Sequence, residues 1–584
     1  MPDTQPSLIP PTKPVRLPAS ATLTLPRWGI LLLCLLYILP GLVGRDPWKN
    51  SDAADFGVMW TMAQHGWQDW LWPNISGLPV AGSGPLTFWL GALCIKLFGG
   101  VLGAPLAARI APLCFFLIGA YSVWHTTYLL GRRTEAQPMR LAFGGQPEAM
   151  AYGRVLADGA LLIYLGCLGL LMHSHETSVE ALFVALIAYT LYRCTRYIDT
   201  PSLKNACLLG LALGALTLTN GLVTPLGLYV CFMTGIFFCK PPKRKHAVNL
   251  LVSFAVTVAI VFLWWAILSL ARPYDSSPFN AWLVWNSMQI GLPTFDSIGN
   301  FFRNGIWFFW PAWPFACWAI YAWRKEWRSA HVLLPFLFTV TFLVLAFFNP
   351  QKEETVLLAF LPPLAILAAL GLPTMKRGAI NAIDWFSVMT LTLCALFIWL
   401  AWLARHTGWP AGIARNATKL APGFLPEFSI FATLVAACAT LFWFALVYWR
   451  ISRQPSVLWR AVVLSTGGVI LCWVLLATLW LPWINYSKSY AGIAVEMASH
   501  VKKGKYSCIK TNVSAAQRAS FAYFGNVRFE GFIAEPCDYV LLGDRVPKYN
   551  RPISPKTYKR MKLVWEGHRP SDRGERFRLY QSTE

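Results

Sequence analysis

The sequence has 584 residues, of which 56% are hydrophobic and 13% are charged, and it contains 29 Trp and 37 Phe. The charged fraction is about half of that in an ordinary soluble domain, so the composition excludes a soluble globular protein and indicates a helical membrane protein with many spans. A net charge of +23 would suggest a nucleic-acid partner in a soluble chain. In a membrane protein, basic residues flank the spans, and we therefore predict no nucleic-acid binding.

The predicted elements begin with a Pro-rich and Ser-rich stretch, residues 1–27, which we interpret as a disordered cytoplasmic tail. Residues 28–482 form the predicted membrane domain. Its thirteen predicted spans lie at residues 28–44, 106–131, 158–173, 178–195, 206–219, 221–239, 247–271, 305–323, 331–348, 355–372, 382–404, 428–449 and 459–482. The apolar segment 85–98 is shorter and carries Lys96, so we predict an outer juxtamembrane helix that lies in the membrane interface.

Lysine and arginine are concentrated in one alternating set of the loops between these spans. Because basic loops face the cytoplasm, this set is assigned to the cytoplasmic side. The first loop, residues 45–104, then faces outward, and so does the C-terminal segment.

The composition changes after residue 482 and becomes polar. Strand patterns at 506–510, 539–542, 562–565 and 577–580, with a helical stretch at 515–524, predict a small α/β domain over residues 485–584. Cys508 and Cys537 lie in this domain, and an oxidising compartment predicts a disulfide between them, with two unpaired thiols as the alternative. The predicted fold class is an all-α polytopic membrane protein with about thirteen transmembrane helices and a small C-terminal α/β domain outside.

Carboxylates occur in three of the predicted outer loops. Asp46, Asp52 and Asp55 follow the first span, Glu176 lies in a short turn between two spans, and Glu353 lies in another tight turn. Carboxylates beside a membrane are costly unless they are solvated or paired, so they are candidates for function, with ordinary solvated loop residues as the alternative. A zinc site would be a weak interpretation of these residues, so we predict no metal site from them and leave a divalent metal open as a cofactor.

Basic residues on the same side complete a pattern that suits an anionic lipid substrate. Arg272, Arg303 and Lys352 could bind a phosphate while a carboxylate acts on the acceptor. A coupled transporter would instead carry ionisable residues in the middle of its spans, and the predicted spans are nearly free of charge there. The pattern therefore favours an enzyme or a binding protein over an ion-coupled transporter.

Several short motifs occur in a fixed order along the chain. They are Asp52-Ala53, Gly66-Trp67-Gln68-Asp69-Trp70, Gly82-Ser83-Gly84-Pro85-Leu86-Thr87-Phe88-Trp89, Glu176 at the mouth of a span, Thr219-Asn220-Gly221, and Lys352-Glu353-Glu354 before Leu361-Pro362-Pro363-Leu364-Ala365. With them, the chain from Arg45 to about Leu372 resembles the integral-membrane glycosyltransferases related to bacterial aminoarabinose transferases and protein O-mannosyltransferases. That family has Asp-Glu, Gly-Asp-Trp-like, Glu-Lys-Pro-Pro-Leu-x-Tyr-Trp, Thr-Lys-Gly and Lys-Leu-Pro-like motifs at these places.

The resemblance implies an enzyme of the bacterial inner membrane whose active site faces the periplasm. The enzyme would transfer a sugar from a polyprenyl (undecaprenyl-type) monophosphate carrier to lipid A, another envelope glycan or a protein hydroxyl. Asp52 and Glu176 would be the catalytic acids. The substrate-binding residues would be Asp55, Ser83, Arg272, Arg303, Lys352 and Glu353.

The sequence departs from the family's motifs at three positions. Ala53 replaces the glutamate of Asp-Glu, Ser83 replaces the lysine thought to contact the lipid phosphate, and Asn220 replaces the lysine of Thr-Lys-Gly. Because serine cannot pair with a phosphate as a cation does, we expect Arg272, Arg303 or Lys352 to take that part. A non-catalytic lipid-binding or flippase-like scaffold is the alternative function.

Overall fold

The computed structural model describes residues 13–22, 25–80, 82–139, 145–239, 244–271, 277–350, 355–453, 457–502, 506–531, 536–544 and 561–582. Up to residue 271 the helices are α1 (Arg27–Ile38), α2 (Ser51–Gln64), α3 (Gln68–Leu71), α4 (Leu86–Leu102), α5 (Ala104–Ala108), α6 (Ile110–Gly131), α7 (Ala149–Gly166), α8 (Leu168–His173), α9 (Val179–Asp199), α10 (Leu203–Asn220), α11 (Val223–Cys239) and α12 (Arg244–Ala271). Two short strands, β1 (Asn74–Ile75) and β2 (Leu78–Pro79), pair antiparallel between α3 and α4.

The second half of the chain is also mainly helical. Its helices are α13 (Ser277–Met288), α14 (Phe295–Phe308), α15 (Ala312–Ala322), α16 (Ala330–Phe348), α17 (Thr355–Leu358), α18 (Leu361–Gly371), α19 (Arg377–Thr407), α20 (Ala411–Leu420), α21 (Ile430–Arg453), α22 (Val457–Leu479), α23 (Leu481–Lys488), α24 (Ala491–Ser499) and α25 (Ala515–Gly525). Four strands belong to the C-terminal region: β3 (Ile509–Thr511), β4 (Tyr539–Gly543), β5 (Lys562–Arg569) and β6 (Asp572–Gln581).

A helix occupies each of the thirteen predicted spans, and the chain is a polytopic membrane protein. Within the described ranges, seven helical segments are long and apolar enough to cross a membrane: 104–131, 244–271, 330–348, 356–374, 378–407, 430–452 and 462–479. The count of thirteen spans therefore stays a prediction. Some predicted spans are interrupted helices, as at Cys167 between α7 and α8 and at Pro311 between α14 and α15. At Pro311 the residue itself explains the break, because proline has no amide hydrogen to donate and its ring clashes with the preceding turn.

The core of the membrane domain surrounds α18. Every residue from Leu361 to Gly371 in this helix is buried, and α18 packs against α7, α15 and α16. A helix that is apolar on all sides can be stable only when other helices surround it. The small alanines at 365, 368 and 369 let these neighbours approach closely.

Part of the N-terminal tail is packed, which corrects the prediction of disorder for residues 13–22. Val15 is fully buried, and its carbonyl accepts a hydrogen bond from the Met139 amide at 2.9 Å. The Lys13 ammonium donates to the Thr134 carbonyl at 2.7 Å. Composition alone could not predict the burial of Val15 or these hydrogen bonds, because both depend on contacts with a distant loop.

Helix α2, which carries Asp52 and Asp55, lies between α4 on one side and α25 of the C-terminal region on the other. Two glycines allow this close packing. A Cβ atom at Gly57 would lie 2.3 Å from the Ala519 Cβ, and one at Gly91 would lie 2.2 Å from the Met59 sulfur. Phe56 also meets Tyr523 edge to face, with ring centroids 5.0 Å apart. The C-terminal region therefore holds α2 against the membrane domain.

The C-terminal region forms a small α/β unit with its own buried core. Its sheet has the strand order β3-β4-β6-β5, in which β3 and β4 are parallel and the other pairs are antiparallel. Helices α24 and α25 pack together, and their apolar side chains share one buried cluster with those of the sheet. Cys508 and Cys537 are joined by a disulfide.

Replacement of both Cys508 and Cys537 by serine should destabilise this unit by roughly 3–4 kcal/mol, because a link across 29 residues restricts the unfolded chain. The measurement is the urea dependence of proteolytic cleavage in the purified full-length protein. Cys438→Ser, at an exposed free cysteine, is the matched control and should change stability by less than about 0.5 kcal/mol. An unchanged urea midpoint in the double variant would contradict this expectation.

Candidate active site

The candidate site lies where α2 begins and α9 begins. Asp52 is in the first turn of α2, where the partial positive charge of a helix N-terminus favours a carboxylate. Its Oδ1 accepts hydrogen bonds from the amide and the hydroxyl of Thr177, both at 2.8 Å. Its Oδ2 accepts one from the Trp48 amide at 3.0 Å. These hydrogen bonds join the loop before α2 to the turn before α9, and the Asp52 side chain itself is 1% exposed.

Two buried arginines face the same carboxylate. Arg45 Nη2 lies 3.3 Å from Asp52 Oδ2, and Arg109 Nη2 lies 3.7 Å from the same atom. Arg109 also donates to the backbone carbonyls of Arg45 and Asp46, the latter at 2.8 Å. Burial by itself would raise the pKa of Asp52, but the two guanidinium groups and the amides of Trp48 and Thr177 bring it below its usual value. Asp52 is therefore ionised at neutral pH.

Arg45 connects the two acids that the sequence singled out. Its Nη2 lies 3.4 Å from Glu176 Oε1 as well as 3.3 Å from Asp52 Oδ2, and its guanidinium stacks over the Trp48 ring with 3.7 Å to the centroid. Arg45 Nε and Nη1 and Arg109 Nε are buried without a hydrogen-bond partner among the described residues. A buried cation with unused donors is costly unless an anion or water completes its shell.

The turn that carries Glu176 is held from two sides. Glu176 Oε2 lies 3.2 Å from His173 Nδ1. His175 is fully buried, and its ring nitrogens contact the backbone carbonyls of Tyr37 at 2.8 Å and Leu171 at 2.6 Å. Burial lowers the pKa of His175 to about 4, although these two contacts favour the charged form. His175 is therefore neutral, and its two contacts hold the turn in place. Glu176 is the acidic residue of this turn.

Asp55, one helical turn after Asp52, has a different environment. Its Oδ2 accepts a hydrogen bond at 3.0 Å from the amide of Val179, the first residue of α9. Burial, and then the nearby Glu180, raise the pKa of Asp55 well above its usual value in spite of that hydrogen bond. Asp55 thus caps the start of α9, and among the described residues it has no contact that indicates substrate binding.

The C-terminal region closes this site through α23. The Asn485 side-chain oxygen accepts hydrogen bonds from the Asp46 amide at 3.2 Å and from the Trp48 indole at 2.9 Å. The Lys488 ammonium lies 5.3 Å from the centroid of the Trp48 ring. Burial lowers the pKa of Lys488, while Glu176 acts in the opposite sense. Lys488 and Arg45 therefore place two cations beside Trp48 and Glu176.

The remaining predicted site residues lie in several places. Ser83 is half-buried, and the next residue, Gly84, donates its amide to the Thr219 carbonyl at 3.2 Å. A Cβ atom at Gly84 would lie 2.0 Å from the Leu218 carbonyl oxygen, so only glycine fits there. This contact brings the Gly82–Trp89 and Thr219–Gly221 motifs together.

Arg303 is exposed on α14 and pairs with Asn300 at 2.8 Å. It makes no contact with Asp52 or Glu176, although α14 packs against α8 next to the Glu176 turn. The other predicted residues, Arg272, Lys352 and Glu353, lie outside the described residues.

Sequence reasoning missed Arg45, Arg109 and Lys488. Arg109 had a usable signal, since it is the one Lys, Arg, Asp or Glu between Lys96 and Arg132 in a strongly apolar stretch, and a charge at such a position needs a partner. Arg45 and Lys488 had none, because each looks like an ordinary basic residue beside a span. Within the ranges that the structure describes, no group of three or more His, Cys, Asp or Glu side chains could hold a metal ion.

Comparison with known proteins identifies the fold. No protein-family model matches the sequence, and no curated protein matches it. Among solved structures, the chain is similar to ArnT from Cupriavidus metallidurans, both bound to undecaprenyl phosphate and in the apo state. Each has a TM-score of 0.63 and 14% sequence identity, and covers 95% of this chain and 97% of the ArnT chain. The archaeal oligosaccharyltransferase AglB from Archaeoglobus fulgidus, in complex with an inhibitory peptide and a dolichol-phosphate, has a TM-score of 0.46 and 10% identity, over 88% of this chain and 69% of its own. The protein therefore has the polytopic membrane fold of ArnT over nearly its full length.

Proposed function

We propose that the protein transfers a sugar from a polyprenyl (undecaprenyl-type) monophosphate carrier to an acceptor at the periplasmic face of a bacterial inner membrane. The observation that carries this proposal is the convergence of Asp52 and Glu176 on Arg45. These acids are 124 positions apart in the sequence, and they meet in a chain with the fold of a protein solved with undecaprenyl phosphate. The acceptor is lipid A, another envelope glycan or a protein hydroxyl.

Cations beside the acids support the recognition of a lipid-linked phosphate. During transfer, the bond between the anomeric carbon and the phosphate oxygen breaks, and negative charge grows on the departing phosphate. The unused donors of Arg45 and the ammonium of Lys488 are suited to stabilise that charge, because preorganised donors in a water-poor site act most strongly on developing charge. Lys488 would then supply the cation that Ser83 lacks. Arg303, Arg272 and Lys352 remain proposed contributors, with Glu353 beside them.

The two acids are assigned different parts. The hydrogen bonds and ion pairs of Asp52 occupy both of its oxygens, so it holds Arg45, Arg109 and Thr177 in position. Glu176 has two looser contacts, at 3.2 and 3.4 Å, and is the better candidate to accept the proton of an acceptor hydroxyl. That oxygen would then bond to the anomeric carbon as polyprenyl phosphate leaves. Asp55 would contribute indirectly, by capping the start of α9.

The placement of the donor phosphate is tested by comparing single alanine variants. We expect Lys488→Ala to weaken binding of undecaprenyl phosphate by about 10-fold, the loss of one charge-assisted contact, and Arg303→Ala to weaken it less. Ser83→Ala should have the smallest effect. Lys49→Ala, next to Trp48, is the matched control for a lysine outside the proposed contact. Equal affinity of all variants, measured with the purified protein and labelled lipid, would refute this placement.

A second candidate function is a non-catalytic lipid-binding or flippase-like scaffold. Two observations favour the scaffold: Ser83 stands where the family has a lysine, and both oxygens of Asp52 already have hydrogen-bond partners. Mass spectrometry of envelope lipids and glycoproteins from a deletion strain separates the two candidates. We expect one glycosylated species to disappear and to return with the wild-type gene but not with the Asp52→Asn gene. Restoration by both genes would favour the scaffold, and a reporter fused after Glu584 that is active only in the periplasm would test the orientation.

A further inference from the structure

A cavity of about 640 Å³ lies between α1, α6 and α7, and none of the active-site residues described above lines it. Arg109, at the active site, precedes α6, whereas the cavity is lined by α6 residues from Phe116 to His125. At 1.5 Å per residue, the distance along the helix from Arg109 is about 10 Å to Phe116 and about 24 Å to His125. The cavity is thus a separate feature, and the inference from it does not rest on the proposed sugar transfer.

The cavity is formed because α1 touches α6 near one end only. Tyr37, near the end of α1, stacks on Phe116 with ring centroids 5.3 Å apart. Toward the start of α1, the cavity separates the two helices, with Ile30 and Leu31 on its wall. Leu31 and Leu117, which also lines the cavity, are 64% and 54% exposed. The cavity therefore opens sideways through apolar side chains, toward the region that lipid occupies in a membrane.

Polar groups are confined to one end of the cavity. Arg27 is the first residue of α1, Arg154 is in the second turn of α7, and Trp124 is in the second half of α6. Ile30, Leu31, Phe116, Leu117 and Leu161 line the deeper part. Along the helices, the cavity wall thus changes from basic and aromatic to apolar. A phospholipid changes in the same order, from its headgroup to its acyl chains.

The charge of the polar end is net positive. Asp158 faces the same cavity, and its Oδ1 accepts a hydrogen bond from the Trp124 indole at 2.7 Å. Arg27 and Arg154 both interact with Asp158 electrostatically, but neither forms a salt bridge with an acid among the described residues. Two cations face one carboxylate, so an anionic group can still be bound, and basic pockets between membrane helices are suited to anionic lipid headgroups.

We propose that this cavity, hereafter the α1/α6/α7 cavity, is a binding site for one anionic glycerophospholipid of the leaflet opposite the candidate active site. The phosphate contacts Arg27 and Arg154, and an acyl chain lies along Leu31 and Leu117. A soluble anion could use the arginines but not the apolar wall, and the volume is in the range of sites that enclose a small molecule or part of a lipid.

The experiment uses the purified full-length protein and two lipids with identical chains, phosphatidylglycerol and phosphatidylcholine. Native mass spectrometry and the unfolding temperature at increasing lipid concentration report binding. We expect the wild type to prefer phosphatidylglycerol, and Arg27→Gln/Arg154→Gln to lose about 10-fold in affinity for it, as the loss of charge-assisted contacts predicts. Both arginines are exposed, so this variant should fold.

The matched control is Arg324→Gln/Arg328→Gln. These arginines also lie beside aromatic rings, at 4.1 and 5.2 Å from the centroids, but do not line the cavity. This control should bind phosphatidylglycerol like the wild type. Equal binding of the two lipids by the wild type, or equal losses in both double variants, would overturn the proposal. Displacement of the lipid by inorganic phosphate would overturn its lipid character. If the double glutamine variant fails to fold, Leu117→Glu provides the second test and should reduce phosphatidylglycerol binding by itself.

Discussion

Asp52→Asn is expected to slow sugar transfer by at least about 100-fold, the low end of the cost of losing one preorganised electrostatic contact. Asparagine keeps the shape of the side chain but removes the charge that Arg45 and Arg109 face at 3.3 and 3.7 Å. One of its two polar atoms becomes a donor, so the side chain can accept either the bond from Trp48 or the bonds from Thr177, but not both. The cations then lose their fixed position, and the proposed stabilisation of the departing phosphate is lost with it.

The measurement is turnover by the purified variant with its donor and acceptor, together with the affinity for undecaprenyl phosphate. A role in positioning predicts that kcat falls while the donor still binds. Asp55→Asn is the matched control, since burial and the nearby Glu180 already disfavour the charged form of Asp55 and raise its pKa, and it should have a much smaller effect. Near-normal transfer by Asp52→Asn would remove Asp52 from the mechanism.

Arg45→Ala is expected to lower the free energy of unfolding by about 3 kcal/mol, the lower end of the cost of breaking a buried ion pair. The low end applies because Arg109 still faces Asp52 after the change. Among the described residues, His173 is then the one ion-pair partner left to Glu176. Arg45→Lys should not restore activity, because an ammonium cannot reach two carboxylates and cover the Trp48 ring as a planar guanidinium does.

The pH dependence of stability provides a second measurement on Arg45→Ala. The pKa of Asp52 is lowered in the folded protein, so its ion pairs stabilise the fold fully above its ordinary value of 3.8 and lose this effect as the pH falls through the folded value. Arg45→Ala reduces that lowering. The stability difference from the wild type should therefore be constant above about pH 5 and shrink below pH 4. Arg303→Ala, at an exposed position, should follow the wild type at every pH, and a pH-independent deficit in Arg45→Ala would contradict the ion-pair explanation.

Sequence and structure agree best where the controlling interactions are local. Apolar runs long enough to cross a membrane predicted helices at all thirteen segments, and alternation predicted the strands that became β4, β5 and β6. Helix ends were less accurate, as at the break between α7 and α8, because tertiary contacts decide where an apolar helix is interrupted. The thirteen-span count goes beyond the seven segments that are long and apolar enough within the described part of the chain.

The candidate site shows the opposite case. The acids Asp52 and Glu176 could be named from the sequence, because carboxylates beside apolar spans are unusual and the motif order resembles a known family. The cations were harder to name: Arg303 was chosen for its predicted position and is exposed, whereas Arg45 looked like a loop charge and is buried. Arg109 stood out in an apolar stretch, but nothing in the sequence identified its partner. Which cation meets which acid depends on contacts between Arg45 and Glu176, 131 positions apart.

The sequence by itself determined the class of the protein, the positions of its helices and the acids that are candidates for chemistry. These properties follow from the hydrophobicity and charge of neighbouring residues, which act over one or two helical turns. Only the tertiary structure decided that Asp52 is fully bonded, that Asp55 caps α9, and that Lys488 of the C-terminal region reaches Trp48. Those properties arise from the packing of α2 between α4 and α25, where backbone amides and guanidinium groups from distant segments enclose carboxylates, and no local pattern in the chain encodes that enclosure.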